Sequence, residues 1–241
     1  MKRTGKIFLL IILSFFFSTC QSINNSKPGL VVSPSQVIFS FDDGPNGMGD
    51  TTARLLDVLS KYEIHAMFSL LGENVEAYPD LARRIHDEGH YIVNHGYADK
   101  WAYRMKNEEF KDNLLRGEAV ISAALGIELN PKLYRPHGGY YTSKQKSICL
   151  EEGYTMVGCS VRVYDAVLTE AKKDKVVRET IAKIEKQNGG IILLHDGRDS
   201  KSRMEGEIKK NGHGAFDRSW LPEAVEEIIV ALLERGFILK P

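Results

Sequence analysis

The sequence predicts an α/β fold, a parallel sheet covered by helices, and three patterns support this. Short apolar runs rich in β-branched and aromatic residues alternate with longer amphipathic segments. The apolar runs are continuous, as in strands that are covered on both faces. Polar and charged residues follow several of these runs where each run ends. An open doubly wound sheet and a closed barrel both satisfy this alternation.

The apolar runs predict seven strands, and helical periodicity predicts the helices between them. The strands are expected over residues 37–41, 66–70, 90–94, 132–135, 155–161, 189–195 and 236–240. The helices are expected near residues 51–62, 80–88, 108–125, 144–152, 174–187 and 224–233. The polar stretch 197–220 is expected to be either a surface loop or a lid whose Phe216 or Trp220 stacks on substrate.

Length and composition limit which classes of protein this chain can belong to. The chain has 241 residues, which suits one domain or at most two. Its 32 basic and 32 acidic residues cancel, so the net charge gives no footprint for nucleic acid. No Gly-x-Gly-x-x-Gly follows the first strand, and a dinucleotide site therefore lacks its signal. Cys149 and Cys159 are expected to be buried thiols, with a disulfide as the alternative.

The N-terminus has the pattern of an export signal. Residues 1–20 contain basic residues, then an apolar run too short for a comfortable membrane span, then small residues before Cys20. We interpret this segment as a signal peptide with a lipobox that would leave Cys20 lipidated; a plain signal peptide is the alternative. Residues 21–35 are predicted to be a flexible tether, and residues 36–241 a single catalytic domain.

Chemistry-bearing residues gather at the carboxyl ends of the predicted strands, the edge where parallel α/β folds bind ligands. They are Asp42, Asp43, Asn94, His95, Arg135, Asp165, His195 and Asp196. If one member of the Asp42–Asp43 pair binds a cation, the other can act as a base. An isolated Asp-Asp-Gly-Pro is also explained by a turn with an arginine partner.

Three other motifs add to this edge. His95 and Asp99, four residues apart, suit a divalent metal if they lie on a helical turn, and a solvated polar turn is the alternative. Arg135 can hold a carboxylate, and Gly138 lets backbone N–H groups approach a ligand. His195 can donate or accept a proton, although a lone histidine there is usually structural.

The combined motifs resemble those of the polysaccharide deacetylases, the NodB-type carbohydrate esterases of family four. These motifs are FSFDDGP, NHGYAD, YRPHGG, VRVYDA and ILLHDG, and the resemblance runs from Val37 to Leu239. It implies a distorted (β/α)₇ barrel that removes N-acetyl groups, and in some members O-acetyl groups, from a polysaccharide. The expected cofactor is one divalent metal, zinc above all, with manganese, iron or cobalt as alternatives.

The resemblance also implies roles for individual residues. Asp42 would be the general base, oriented by Arg135, and His195 the general acid, tuned by Asp165. Asp43, His95 and Asp99 would hold the metal, and backbone N–H groups near His137 and Gly138 would hold the oxyanion. The chain departs from the family at Asp99, where the family has a histidine, at His137–Gly138, where it has Pro-Tyr, and at Arg162 and Ala166.

The sequence therefore predicts a metal-dependent deacetylase that is exported to the cell envelope and lipid-anchored there, or else periplasmic or secreted. Its expected partners are an acetylated polysaccharide, such as peptidoglycan or a chitin-type glycan, and the membrane that holds the anchor; nucleic acid is not expected. Two alternatives keep the fold: a hydrolase of a small cyclic amide, and a lipoprotein that binds glycan without cleaving it.

Overall fold

The computed structural model describes residues 33–211 and 214–239. Seven strands form one sheet in this part of the chain: β1 (Val37–Gly44), β2 (Met67–Leu70), β3 (Tyr91–Asn94), β4 (Leu133–Tyr134), β5 (Thr155–Met156), β6 (Val161–Arg162) and β7 (Gly190–His195). The helices are α1 (Thr51–Lys61), α2 (Gly72–Ala77), α3 (Pro79–Asp87), α4 (Asn107–Leu125), α5 (Ser143–Glu151), α6 (Lys173–Gln187), α7 (Lys201–Asn211) and α8 (Leu221–Glu234). The fold class predicted from the sequence is confirmed.

The sheet is parallel and curls on itself. Its strand order is β5-β4-β3-β2-β1-β7-β6, so β5 and β6 lie at opposite edges. The chain connects these two edge strands through residues 157–160 alone. Five Cα–Cα steps of 3.8 Å reach at most about 19 Å, so the two edges must lie close together. The sheet is therefore an incomplete barrel with a seam between β5 and β6.

Two strand predictions were wrong in detail. The single strand expected over residues 155–161 is divided into β5 and β6, because its first half pairs with β4 and its second half with β7. The strand expected over 236–240 is reduced, among the described residues, to an isolated bridge between Ile238 and Gln36. Both differences arise from pairing between distant segments, which the local apolar pattern does not record.

The stretch 197–220 is not a plain surface loop, and one of its two aromatic candidates for stacking is excluded. It contains the helix α7, and the side chain of Trp220 is 2% exposed within the main hydrophobic core. Trp220 therefore cannot stack on a substrate at the surface. Phe216 lies beneath the guanidinium of Arg198, which is 4.3 Å from its ring centroid.

The main core lies between β1 and the helices α1 and α8. Leu55 and Leu59 of α1 and the buried apolar residues of α8 lie in one cluster with the aromatic side chains of Phe39 and Phe41 in β1. Phe41 of β1 packs on Phe68 of β2 with ring centroids 5.2 Å apart. Burying each large apolar side chain contributes about 1.5–3 kcal/mol, so this layer fixes the position of β1 and of the residues that follow it.

Cys149 and Cys159 are buried, and no disulfide joins them, as expected. None of the described helices is long and apolar enough to cross a membrane. The predicted signal segment, Cys20 and most of the tether lie outside the described residues.

Candidate active site

The carboxyl end of β1 departs from regular strand geometry at Asp43. The pairing with β2 passes from Asp42 opposite Ser69 to Gly44 opposite Leu70, so Asp43 is left out of register. Its φ of 68° lies in the left-handed region that non-glycine residues seldom occupy. This bulge breaks the alternation of side chains along the strand. Two adjacent carboxylates can therefore reach one site.

Asp42 forms a buried ion pair with Arg135, which follows β4. The Nη1 atom of Arg135 lies 2.6 Å from Oδ1 of Asp42, and both side chains are almost fully buried. The same guanidinium donates hydrogen bonds to the hydroxyl of Ser40 and, at 3.1 Å, to the carbonyl of Gly158. Burial raises the pKa of Asp42, but the positive charges of Arg135, His95 and His195 outweigh it and lower that pKa overall. Asp42 is therefore held ionised.

Asp43, His95 and His137 form a buried cluster whose potential ligand atoms all lie within 4.8 Å of one another. Oδ1 of Asp43 is 3.3 Å from Nε2 of His95 and 3.4 Å from Nδ1 of His137. Zinc bonds of about 2.0–2.1 Å in a tetrahedral arrangement place neighbouring ligand atoms roughly 3.3 Å apart. The spacing around Asp43 therefore fits a small divalent cation.

The outer nitrogen of each imidazole has its own partner. Nδ1 of His95 lies 2.8 Å from the backbone carbonyl of Arg135. Nε2 of His137 lies 2.5 Å from Oδ1 of Asp99. Carbonyl and carboxylate partners of this kind fix the ring orientation and tautomer of metal-binding histidines. Both inner nitrogens are thereby left as electron-pair donors toward Asp43.

Two buried atoms of the cluster have no hydrogen-bond partner in the described part of the chain. They are Oδ1 of Asp43 and Nδ1 of His137. Leaving buried polar atoms unpaired is costly, and such atoms in a native protein usually bind an ion or an ordered water. A cation bound between them would satisfy both, so the residues present fit a metal.

The charged groups of this cluster shift one another's pKa values. Burial raises the pKa of Asp43, yet the adjacent imidazoles of His137 and His95 bring it well below its usual value. Burial lowers the pKa of His137, and the carboxylates of Asp43 and Asp99 more than reverse this, raising it to about 10. Two carboxylates thus face this one imidazole and make it a strong base.

His195, at the end of β7, forms a second buried pair with Asp165. Its Nδ1 lies 2.9 Å from Oδ1 of Asp165, and its backbone N–H donates to Oδ2 of the same carboxylate at 2.9 Å. Burial lowers the pKa of His195, but Asp165 above all, with Asp43 and Asp42, raises it to about 9. The imidazole is therefore held in its protonated form near neutral pH.

Arg218, in the segment before α8, contacts both members of this pair. The fully buried guanidinium lies 2.5 Å from Oδ2 of Asp165 and donates to the backbone carbonyls of His195, Asp165 and Leu168. The Asp165 carboxylate is thus held from three sides, by two N–H groups of His195 and by Arg218. This fixes the tautomer of His195 and leaves Nε2 as its remaining donor.

The structure brings most of the residues expected from the sequence to this edge of the sheet, but it places two of them differently. Asp99 is not part of the three-residue cluster and contacts the outer nitrogen of His137 instead. His137 was expected near an oxyanion, but its imidazole is the third member of the cluster, beside Asp43 and His95. Gly138 lies beside it with a φ of 75°, in the short 3₁₀ turn His137–Gly139.

Sequence reasoning missed Arg218 and Asn74. Asn74 of α2 is fully buried, and its side-chain amide donates to the backbone carbonyls of Asp43 and Asp199. The Asn74 side chain therefore stabilises the backbone of the bulge in β1 at Asp43. Both residues belong to segments without a recognisable motif, and only their burial, which requires the fold, distinguishes them from surface polar residues.

A carboxylate–imidazole cluster beside a buried Asp–Arg pair, at the strand ends of a parallel barrel, is typical of metal-dependent hydrolases. Comparison with known proteins narrows this class. The family model described as "Polysaccharide deacetylase" matches residues 31–157, slightly more than half of the chain. The chain belongs to the polysaccharide deacetylase family.

Named relatives and solved structures agree with this assignment. A chitooligosaccharide deacetylase of Bradyrhizobium sp. is 31% identical over 213 residues, covering 88% of this chain and 91% of the relative. A peptidoglycan-N-acetylglucosamine deacetylase of Bacillus cereus is 32% identical over 67% of this chain, and the match spans 56% of that longer relative. The crystal structure of the peptidoglycan N-acetylglucosamine deacetylase Bc1960 superposes with a TM-score of 0.69 at 25% identity, covering 87% of each chain.

Proposed function

We propose that this protein hydrolyses N-acetyl groups of amino sugars in an envelope or extracellular polysaccharide. The observation that carries the proposal is the position of the Asp43–His95–His137 cluster beside the Asp42–Arg135 ion pair. One group of residues would hold a metal, and the adjacent carboxylate remains free to move a proton. Together they would supply the two functions of metal-assisted amide hydrolysis, activation of the carbonyl and water and removal of the water's proton.

The proposed metal ligands are Oδ1 of Asp43, Nε2 of His95 and Nδ1 of His137, and two imidazoles with one carboxylate favour zinc. A divalent cation held by these residues would polarise the acetyl carbonyl and lower the pKa of the attacking water. Asp99 is proposed as the carboxylate that orients His137. The earlier expectation that Asp99 is itself a ligand is the alternative, which metal measurements on variants distinguish.

The remaining residues handle protons and charge. Asp42, kept ionised by Arg135, takes the proton of the attacking water as general base. Backbone N–H groups of the His137–Gly138 turn are proposed to stabilise the oxyanion. Protonated His195, held by Asp165, donates its Nε2 proton to the leaving nitrogen. The amine then departs as a neutral group, which an amide nitrogen cannot do without protonation.

The substrate class is inferred from the relatives, whose names specify peptidoglycan and chitooligosaccharide deacetylases. These favour an N-acetylated glycan over the small cyclic amide. We further propose that the protein is exported and anchored to the cell envelope through Cys20. This part rests on the sequence of residues 1–20 and is tested by lipid labelling of the wild-type protein and of Cys20→Ala.

The central test measures acetate release by the purified protein with added zinc, manganese or cobalt. N-acetylglucosamine oligomers, peptidoglycan and acetylxylan are the substrates. We expect release from an N-acetylated glycan, and at least about a 100-fold lower rate for Asp42→Asn, because general-base catalysis contributes 10²–10⁴-fold. The matched control is Asp80→Asn, which changes an exposed carboxylate on α3.

The alternatives give different results in the same assay. Metal-bound protein that binds these glycans but releases no acetate from any of them would favour the non-catalytic glycan-binding protein. Equal rates for the wild type and Asp42→Asn would remove Asp42 from the role of base.

A further inference from the structure

An exposed group of aromatic rings lies beside the metal cluster and has no role in the chemistry described above. Trp101, Tyr103 and Tyr140, here called the aromatic platform, are 45%, 38% and 43% exposed. The ring centroids of Trp101 and Tyr103 are 5.7 Å apart, and those of Tyr103 and Tyr140 are 6.0 Å apart. Three large rings that touch one another and still expose their surfaces to water are an unusual arrangement for side chains that normally bury their area.

The platform is continuous with the candidate active site. Trp101 follows Asp99 by two residues, and Tyr140 follows His137 by three. A Cβ atom built on Gly138 would lie 3.4 Å from the Trp101 ring, so this ring packs against the turn that carries His137. A ligand long enough to extend beyond the metal cluster on this side therefore meets the platform.

The surface of the platform combines flat apolar rings with hydrogen-bond donors. The guanidinium of Arg104 lies 4.6 Å from the Trp101 ring centroid and 5.5 Å from that of Tyr103, and its Nε donates to the hydroxyl of Tyr103 at 3.0 Å. A pyranose ring has the complementary character, since its axial C–H bonds form an apolar face and its hydroxyl and acetamido groups form a polar rim. Each exposed ring matches one sugar unit in size.

The composition of the platform alone does not distinguish a glycan from a protein partner, because Trp, Tyr and Arg are also enriched at the hot spots of protein interfaces. Its position favours the glycan: the Trp101 ring packs on the Gly138 turn beside the proposed metal site, where a polysaccharide bound for deacetylation continues past the reacting unit. The large aliphatic residues exposed in the described part of the chain lie on other segments: Ile127, Leu150, Val167, Val230, Leu233 and Ile238.

We propose that the aromatic platform binds sugar units of the polysaccharide that flank the unit held at the metal cluster. This inference rests on the proposed function for the identity of the glycan. In this proposal, Trp101, Tyr103 and Tyr140 make the protein bind long chains more tightly than single sugars. The metal cluster and Asp42 carry out the reaction.

Binding is measured by calorimetry or NMR titration with N-acetylglucosamine and its hexasaccharide, in an Asp42→Asn background so that neither ligand is consumed. Trp101→Leu and Tyr103→Ala are the variants, because leucine keeps apolar volume over Gly138 while removing the flat ring. Tyr91→Ala is the matched control, since Tyr91 is 36% exposed at the start of β3, the opposite end of that strand from His95. Metal content is measured for every variant.

We expect each platform variant to bind the hexasaccharide about tenfold more weakly, the effect of ~1.4 kcal/mol, with a smaller change for the monosaccharide. Metal content stays equal to that of the parent, and Tyr91→Ala binds both sugars as the parent does. Unchanged hexasaccharide affinity in both platform variants would overturn the proposal. Equal losses for both sugars together with lost metal would also overturn it, because Trp101 would then act only by supporting the His137 turn.

Acetate release by the protein without the Asp42→Asn change separates this proposal from the proposed function. Ring-dependent hexasaccharide binding without any acetate release would support the platform and contradict the deacetylase. Acetate release with hexasaccharide affinity independent of the rings would do the reverse. A parent protein that binds no oligosaccharide at all would contradict the platform.

Discussion

His137 differs from every other residue of the site because both of its ring nitrogens face carboxylates. Nδ1 lies 3.4 Å from Asp43, and Nε2 lies 2.5 Å from Asp99. The motifs NHGYAD and YRPHGG resemble those of the family but differ at one residue each that bears on this cluster. Position 99 is aspartate where the family has histidine, and position 137 is histidine where the family has proline. The two substitutions are complementary, because one imidazole is lost and another is gained in the same cluster.

This arrangement predicts unequal effects of the two substitutions on metal binding. His137→Ala removes a proposed ligand and is expected to abolish tight binding, whereas Asp99→Asn is expected to weaken it by about 10–100-fold, as loss of a ligand's outer partner does. Metal content after dialysis and competition with a chelator measure both. His86→Ala, an exposed imidazole on α3, is the control and is expected to change neither.

The reverse pattern would restore the original interpretation. If Asp99→Asn lost the metal and His137→Ala retained it, Asp99 would be the ligand and His137 its partner. The double variant Asp99→His with His137→Pro provides a second test. It recreates the family's residue types at both positions and is expected to bind metal more tightly than His137→Ala alone.

At the scale of elements, three segments meet around the His195–Asp165 pair. They are the end of β7, the short 3₁₀ turn Asp165–Val167, and the segment before α8 that supplies Arg218. The turn and the Arg218 segment are not regular parts of the barrel, yet the turn supplies Asp165 and Arg218 holds its carboxylate in place. Asp165 above all, together with Asp43 and Asp42, outweighs the effect of burial and raises the pKa of His195 to about 9.

The pH dependence of the reaction should report this contact. An acid is active only while protonated, so deacetylation is expected to fall as pH rises through the pKa of His195. Asp165→Asn removes the main charge that raises this pKa, and the alkaline limb of the pH profile should therefore move to lower pH. An unchanged alkaline limb in a folded Asp165→Asn protein would show that another group is the acid. Asp174→Asn, an exposed acid on α6, is the control.

The elements also show what the sequence could and could not predict. β1, β2, β3 and β7 and most of the long helices were predictable, because their apolar patterns arise from burial along a continuous segment. The division of 155–161 between two edges was not, since it depends on which distant strand each half meets. The site followed the same rule: Asp42 and Asp43 were recognisable from one motif, whereas the contact of His137 with Asp43 joins positions 94 residues apart.

At the scale of the whole molecule, the curl of the sheet assembles the site. Residues 157–160 bring the edge strand β5 close to β6, and the Gly158 carbonyl in this crossing accepts a hydrogen bond from Arg135. The barrel seam is therefore hydrogen-bonded to Arg135, the residue that forms the ion pair with Asp42. The candidate metal cluster, the His195–Asp165 pair and the aromatic platform all lie at or after the carboxyl ends of strands, at the same edge of the sheet.

The measurement that tests this account most directly is acetate release from the N-acetylglucosamine hexasaccharide by protein stripped of metal, before and after one equivalent of zinc is restored. The account predicts no release before addition, release afterwards, and no recovery for His137→Ala. Full activity of the stripped wild-type protein, or of His137→Ala after zinc addition, would contradict a reaction that depends on a metal held by Asp43, His95 and His137.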